Sequence, residues 1–216
     1  MIARARFSLL VSAGLIFPAA APCSVAFSAD RSPGGDISCR WPVDPDETGQ
    51  VILRHHGKQG KIEIVADLDG ETAPGLLLYP DDPTLRLEIA WFGDVIGNKP
   101  VSLYLREKAS RWSVSGLKIG MTLEEAARVN GGPLDLSGFE QLRDGGPNAV
   151  SAELSQGNPK HGCRMIAVFS APPDVTIDML GPLYRSDHIS SDNPELFKIG
   201  PVLSDLIVIW EPTLDK

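Results

Sequence analysis

Alternating apolar and polar residues constrain the fold of this chain more than any other feature. In TLRLEIAWF, residues 84–92, apolar side chains occupy every second position: Leu85, Leu87, Ile89 and Trp91. A period of two places these side chains on one face of a β-strand. Runs of similar character, separated by turn-forming residues, occur at 50–54, 61–66, 76–79 and 101–106. The pattern predicts an antiparallel meander within residues 50–106.

Composition predicts how the rest of the chain is organised. Residues 27–49 are rich in Pro, Gly and Asp, which is typical of an extended lead-in with turns. Residues 50–216 are long enough to bury one core and are expected to form a single α+β domain. This domain could also divide into a meander at 50–109 and an αβ part at 110–216.

The segment GLKIGMTLEEAARVNGG, residues 116–132, predicts a short helix at about 122–130. Thr122 followed by Glu125 is a capping box, in which each side chain accepts a hydrogen bond from the other residue's amide. Gly131, Gly132 and Pro133 end the helix, because glycine adopts the left-handed conformation and proline cannot continue a helix. The segment matches no phosphate-binding loop, so we interpret it as scaffold.

A second short helix is predicted at about 194–199. Pro194 is favourable in a first helical turn, and Ser191 or Asp192 would cap it. The expected fold is therefore mostly antiparallel β-sheet with two short helices.

The N-terminal segment resembles a secretory signal. Arg4 and Arg6 precede an apolar run at 7–21, and small residues then fit cleavage after Ala26. The run is too short for a spanning helix, so no transmembrane segment is expected in the mature chain. In an alternative interpretation, Cys23 is acylated as in a lipoprotein, although the fixed φ of Pro22 disfavours that cleavage.

Cysteine content predicts one disulfide. Cleavage after residue 26 leaves Cys39 and Cys163. In an oxidising compartment, two remaining cysteines most simply pair with each other.

Charge limits the classes of partner. Removing residues 1–26 takes away two arginines and no acids, so the formal net charge falls from −8 to −10. Nucleic acids and anionic membranes need cationic surfaces and are therefore not expected as partners.

No motif predicts a metal or cofactor site. His55 and His56 are adjacent and would point to opposite faces of an extended segment, while His161 lies beside Cys163, which the disulfide requires. The DLDG segment at 67–70 lacks the remaining ligands of a calcium loop.

No motif predicts a catalytic residue either. The chain has no G-x-S-x-G, and Ser186, Asp187 and His188 are sequence neighbours that cannot converge as a triad by themselves. A glycosidase-like pair of carboxylates stays open, since its geometry cannot be derived from sequence. A carbohydrate-binding surface would use tryptophans: Trp41, Trp91, Trp112 and Trp210.

The segment SRWSVSGLKIGMTLEEAARVNGGPLDLSGF, residues 110–139, resembles a family of uncharacterised secreted proteins and lipoproteins of bacteria. The resemblance covers most of the chain from about residue 70 and includes IGPVLSDLIVIWEP at 199–212. It implies an exported α+β protein without an established activity. Where the family pattern continues into an aromatic and acidic cluster, this chain keeps Asp144 but has no tryptophan or tyrosine.

Two functional hypotheses follow. In the first, the protein is a non-enzymatic envelope module that binds another protein, for which the candidate surface is Trp112, Phe139, Arg143 and Asp144. The net negative charge of the chain would also suit a basic partner such as a lysozyme. In the second, it is a periplasmic hydrolase or carbohydrate-binding protein that uses acidic residues and exposed tryptophans. The sequence does not indicate an oligomeric state.

Overall fold

The computed structural model describes residues 33–66, 70–141, 148–154 and 162–210. The described residues from Pro33 onward belong to one compact unit. Twelve strands and four α-helices lie within this part of the chain. The strands are β1 Gly35–Ile37, β2 Gly60–Ala66, β3 Thr72–Leu78, β4 Leu87–Ala90, β5 Ser102–Leu105, β6 Trp112–Val114, β7 Asp135–Leu136, β8 Glu140–Gln141, β9 Asn148–Glu153, β10 Cys163–Ser170, β11 Ile189–Ser190 and β12 Val202–Trp210. The helices are α1 Gly49–His56, α2 Leu123–Asn130, α3 Ile177–Leu180 and α4 Pro194–Ile199.

One antiparallel sheet of eight strands organises the fold, in the order β2-β3-β4-β5-β12-β10-β9-β8. The first four strands are the predicted meander. The last strand that the structure describes, β12, lies at the centre between β5 and β10 and is buried over most of its length. Two small sheets accompany the main one: parallel β1–β6 and antiparallel β7–β11. The predicted α+β class, mostly antiparallel, is confirmed.

The main core lies on one face of this sheet. In β4, Leu87 and Ile89 are fully buried in it, and Trp91 follows on the same face, as the alternation predicts. A smaller apolar cluster lies on the opposite face, where Tyr104 and Ile207 alternate with the core residues of β5 and β12. The central strands are therefore apolar on both faces.

The two predicted helices are present. Helix α2 has the complete capping box, in which the Glu125 amide donates to Thr122 Oγ1 at 3.2 Å and the Thr122 amide donates to the Glu125 carboxylate at 2.9 Å. Gly131 ends the helix in the left-handed conformation. The N-cap of α4 is Asn193, not Ser191 or Asp192. Ser191 is buried and its Oγ accepts instead from the Leu134 amide at 2.8 Å.

Two helices were not predicted. Residues 50–54, expected as a strand, belong to α1, and residues 177–180 form α3. Helix α1 is amphipathic: Gly49 and Ile52 are buried, and Gly49 lies so close to the loop after β4 that an added Cβ would lie 1.9 Å from the Val95 carbonyl oxygen. This close tertiary packing, which the sequence does not display, selects the helix.

The predicted disulfide joins Cys39 to Cys163, whose Cα atoms are 5.5 Å apart across 124 residues of sequence. It attaches the segment after β1 to the first residue of β10. The carbonyl of Cys39 also accepts a hydrogen bond from Trp210 Nε1 at 2.8 Å. Residues 33–49, expected as a lead-in, thus contact the core, where Ile37 and Val43 are buried. Among the described residues, no helix has both the length and the apolar character needed to span a membrane.

Candidate functional site

A cleft of about 240 Å³ lies where the small β7–β11 sheet meets β9 and β10 of the main sheet. Leu136 and Ile166 contribute apolar surface to it, and the other lining residues are polar: Asp135, Ser137, Ser151, Glu153, Asp187 and His188. The lining residues of β9 and β10 alternate with core residues such as Val150 and Ala167, so they lie on the sheet face opposite the main core. The cleft is open to solvent. The opposite face of the same strands is buried in the main core.

Hydrogen bonds between backbone segments hold the cleft together. The Ser137 amide donates to the Ser151 carbonyl at 2.8 Å, which attaches the end of β7 to β9. Strand pairing places Asp135 opposite Ser190 and Leu136 opposite Ile189. Ile189 and Leu136 are both buried in the core. Burial of these two residues anchors their exposed neighbours His188 and Asp135 at the cleft.

Glycine at position 138 allows the segment after β7 to pack closely against the segment that contains Ser186. The Gly138 amide donates to the Ser186 carbonyl at 2.5 Å, and a Cβ at Gly138 would lie 2.1 Å from the Ser186 amide nitrogen. Phe139 continues this contact, because its amide donates to the Leu183 carbonyl and its carbonyl accepts from the Arg185 amide. The segment that carries Asp187 and His188 is thereby fixed against residues 138–139.

The cleft has an excess of negative charge. Asp135, Glu153 and Asp187 contribute three carboxyl groups, and no lysine or arginine is among its lining residues. His188 Nδ1 lies 3.1 Å from Asp135 Oδ2. The Arg164 guanidinium lies 4.0 Å from Glu153 at the margin. Within the described part of the chain, Asp187 forms no ion pair.

Two serine hydroxyls lie on the floor of the cleft and contact each other. The Oγ atoms of Ser137 and Ser151 are 2.9 Å apart, and Ser137 Oγ also accepts from the Ser151 amide at 3.1 Å. Among the described residues, no hydrogen bond joins the His188 imidazole to either hydroxyl. The aspartate, histidine and serines are close together, yet they are not connected as the relay of a nucleophilic serine requires. The cleft therefore offers three carboxyl groups together with hydroxyl and imidazole groups that can donate or accept a hydrogen bond.

The chain matches no protein-family model, no curated protein and no solved structure. The resemblance to exported bacterial proteins that residues 110–139 suggest therefore stays a prediction.

Two members of the predicted binding surface are core residues. Trp112 is 1% exposed and Phe139 is 0% exposed. Inside the core, Trp112 Nε1 donates to the Leu85 carbonyl at 2.8 Å, so the one polar atom of this buried side chain has a partner. Neither side chain can contact a partner, and their inclusion in the surface was wrong. Arg143 and Asp144, the other two members, lie outside the described residues.

The tryptophans do not form an exposed platform. Trp91 and Trp210 are buried with their Nε1 atoms donating to the carbonyls of Asn98 and Cys39. Trp41 is half-buried against the core. Because all four tryptophans lie within the described ranges, the exposed-tryptophan surface expected for a carbohydrate-binding protein is not present there.

The histidines considered as metal ligands have separate surroundings. His55 Nδ1 lies 3.2 Å from Glu47 Oε2, whereas His56 packs edge-on against the Tyr79 ring at a centroid distance of 6.0 Å. Burial, followed by the nearby charge of His55, lowers the pKa of His56 below its usual value of 6.5. Residues 67–69 and His161 lie outside the described part, and in the remainder no group of three His, Cys, Asp or Glu side chains could hold a metal.

The sequence does not predict the cleft. Ser186, Asp187 and His188 are neighbours along the chain, whereas the partner of His188 is Asp135, 53 residues away. The one signal available was the polar SDH triplet beside the apolar Ile189. Ser137, Ser151 and Glu153 carry no sequence pattern that separates them from ordinary polar strand residues.

Proposed function

We propose that this protein is an exported, non-enzymatic module that binds a basic protein through the acidic cleft. One observation supports this function most directly: three carboxyl groups line the cleft, and no lysine or arginine does.

The chemistry of the cleft suits a cationic side chain. Carboxylates accept charge-assisted hydrogen bonds from arginine and lysine, and arginine can contact two oxygens at once. The hydroxyls of Ser137 and Ser151 add neutral acceptors on the floor. At about 240 Å³ the cleft is smaller than the roughly 300–1,000 Å³ typical of small-molecule sites, so it suits one side chain of a larger partner.

Two features support an exported location. The Cys39–Cys163 disulfide is of the kind that persists in oxidising compartments such as the periplasm. The N-terminal segment has the composition of a signal, although residues 1–32 lie outside the described part. We propose a periplasmic or secreted protein, with acylation of Cys23 as the lipid-anchored alternative.

The arrangement of polar groups supports binding in preference to catalysis. A nucleophilic serine needs a general base within hydrogen-bond reach. Among the described residues, no hydrogen bond joins His188 to Ser137 or Ser151, whose hydroxyls contact each other. The proposal therefore assigns these groups to recognition.

Titration with lysozyme, a basic hydrolase, tests the proposal by calorimetry. The variant D135N/D187N removes two negative charges from the cleft with little change in volume. The control D81N/D174N removes two exposed charges that do not line it. We expect the affinity for lysozyme to fall about tenfold or more in the cleft variant, because each charged hydrogen bond contributes about 1.5–3 kcal/mol. We expect the control variant to bind with the affinity of wild type.

Two results would contradict the proposal. One is an equal loss of affinity in both variants, which would indicate attraction by net charge alone. The other is the absence of binding both to lysozyme and to the basic proteins of an envelope extract.

A further inference from the structure

Strand β2 is an edge of the main sheet, and within the described residues it pairs with β3 alone. It is seven residues long and contains neither a proline nor a break in its register with β3. Ile62 and Ile64 are exposed on one face of it, Ile64 at 65%. Natural edge strands are usually short, bulged or interrupted by proline, because unpaired backbone groups attract other strands. This edge has none of these three features, and its protection is limited to the charges of Lys61 and Glu63.

The hydrogen bonds to β3 identify the backbone groups that face outward. Tyr79 donates its amide to the Gln59 carbonyl, one step beyond the Gly60–Leu78 pair with which the register begins. Hydrogen-bonded pairs alternate with non-bonded pairs along an antiparallel ladder. The amides and carbonyls of Ile62 and Ile64 therefore point away from β3, as does the carbonyl of Gly60. The Gly60 amide is already bonded to the Gly57 carbonyl.

The face of β2 opposite the isoleucines carries one positive and one negative side chain. Lys61 and Glu63 are two residues apart, form an ion pair with each other, and have side chains that are 63% and 38% exposed. Each charge would discourage a random strand from pairing. Together they are complementary to a second copy of the same strand in one antiparallel register.

We propose that two copies of this protein pair antiparallel through β2, with Ile62 opposite Ile62 of the second copy. This register places Lys61 of each copy directly opposite Glu63 of the other. It also places Ile64 opposite Gly60, whose lack of a side chain gives the isoleucine room. Four backbone hydrogen bonds form: two between the Ile62 residues and two from Ile64 amides to Gly60 carbonyls. The two main sheets become one continuous sheet of sixteen strands.

Neighbouring registers are worse because of charge. A register centred on Glu63 places the two Glu63 carboxylates opposite each other. A register centred on Lys61 places the two Lys61 ammonium groups opposite each other. Like charges directly opposite destabilise a strand pair, and opposite charges stabilise it. Centring on Ile64 leaves Glu63 opposite Val65 and loses both ion pairs. The dimer is an isologous contact of the kind most soluble oligomers use, and it involves a different surface from the acidic cleft.

Charge reversal tests the pairing by sedimentation velocity of the purified protein over a concentration series. K61E alone places two carboxylates opposite each other at both cross-strand pairs, and E63K alone places two ammonium groups there. We expect each single variant to raise the dimer dissociation constant about tenfold or more. The double variant K61E/E63K restores opposite charges and is expected to return within about threefold of wild type. An equimolar mixture of the two single variants is expected to dimerise with each other.

Oxidative cross-linking tests the register itself. I62C places two cysteines in a hydrogen-bonded pair with Cα atoms about 5.5 Å apart, within the range of a disulfide. I64C is the matched control, since its counterpart in this register is Gly60 of the second copy. Wild type gives the background. A wild type that stays monomeric at every concentration overturns the proposal. A dimer that neither single charge variant weakens also overturns it. So does equal cross-linking of I62C and I64C.

Discussion

The amide of Gly138 lies 2.5 Å from the carbonyl oxygen of Ser186, a contact so close that residue 138 has no room for a side chain. The contact fixes the segment that carries Asp187 and His188 against residues 138–139. The cleft thus depends on a glycine that does not line it.

The first prediction concerns this contact. G138A places a methyl group 2.1 Å from the Ser186 amide nitrogen, so backbone must move. We expect a loss of about 1–3 kcal/mol in the free energy of unfolding, measured by urea denaturation, and weaker lysozyme binding. G132A is the matched control, because a Cβ there meets nothing within 4 Å. Equal stability of the two variants would contradict the described approach of the two segments.

The second prediction concerns an ion-pair network on the sheet face opposite the main core. Arg106 Nε donates to Asp205 Oδ1 at 2.9 Å, its Nη1 contacts Glu88, and its Nη2 donates to the Ala66 carbonyl at 2.9 Å. These charged side chains are mostly buried. R106A leaves two carboxylates without this cation, and we expect it to lower the free energy of unfolding by about 3 kcal/mol.

The control for the network is an exposed pair. Arg128 Nη2 lies 3.2 Å from Glu124 Oε1, and both side chains are 71% exposed. Water screens such pairs, so R128A is expected to cost less than about 1 kcal/mol. Similar losses in R106A and R128A, measured in the same denaturation experiment, would show that burial of the network does not matter.

The third prediction concerns pH and His56. Because burial lowers the pKa of His56 in the folded protein below its usual 6.5, the unfolded chain binds a proton more readily as pH falls. The contribution of this residue to stability is complete above pH 6.5 and declines as the pH falls below that value, until the folded state is protonated too. We expect stability to decline as the pH falls below 6.5, and H56Q to flatten that decline. An unchanged slope in H56Q would contradict this assignment.

The strands of the meander could be predicted because each has its own signal. In β4 the alternation of Leu87 and Ile89 with Glu88 is sufficient to define both the strand and its buried face. Helix α2 likewise has local signals at both ends, in Thr122 and Gly131. The disulfide followed from the number of cysteines. Each of these predictions depended on residues that are close in sequence or few in kind.

The cleft and helix α1 depend on contacts that no local pattern shows. The run Gln50–Arg54 is compatible with either a strand or a helix, and the close packing of Gly49 on Val95 selects the helix. The cleft combines segments from β7, β9, β10 and the turn before β11, which the order of strands in space brings together. Similarly, the apolar character of Trp112 is visible in the sequence, but its burial is not. Helix α1, the cleft and the burial of Trp112 all depend on tertiary contacts.

The most direct test of the proposed function is the location of the bound partner on the surface. In ¹H–¹⁵N correlation spectra of the purified protein titrated with unlabelled lysozyme, we expect chemical-shift changes concentrated at the lining residues of the cleft, such as Ser137, Ser151, Asp187 and His188. We also expect these changes to diminish in D135N/D187N and with added salt. Changes concentrated elsewhere, or spread evenly over the acidic surface with no difference in D135N/D187N, would contradict the proposed function.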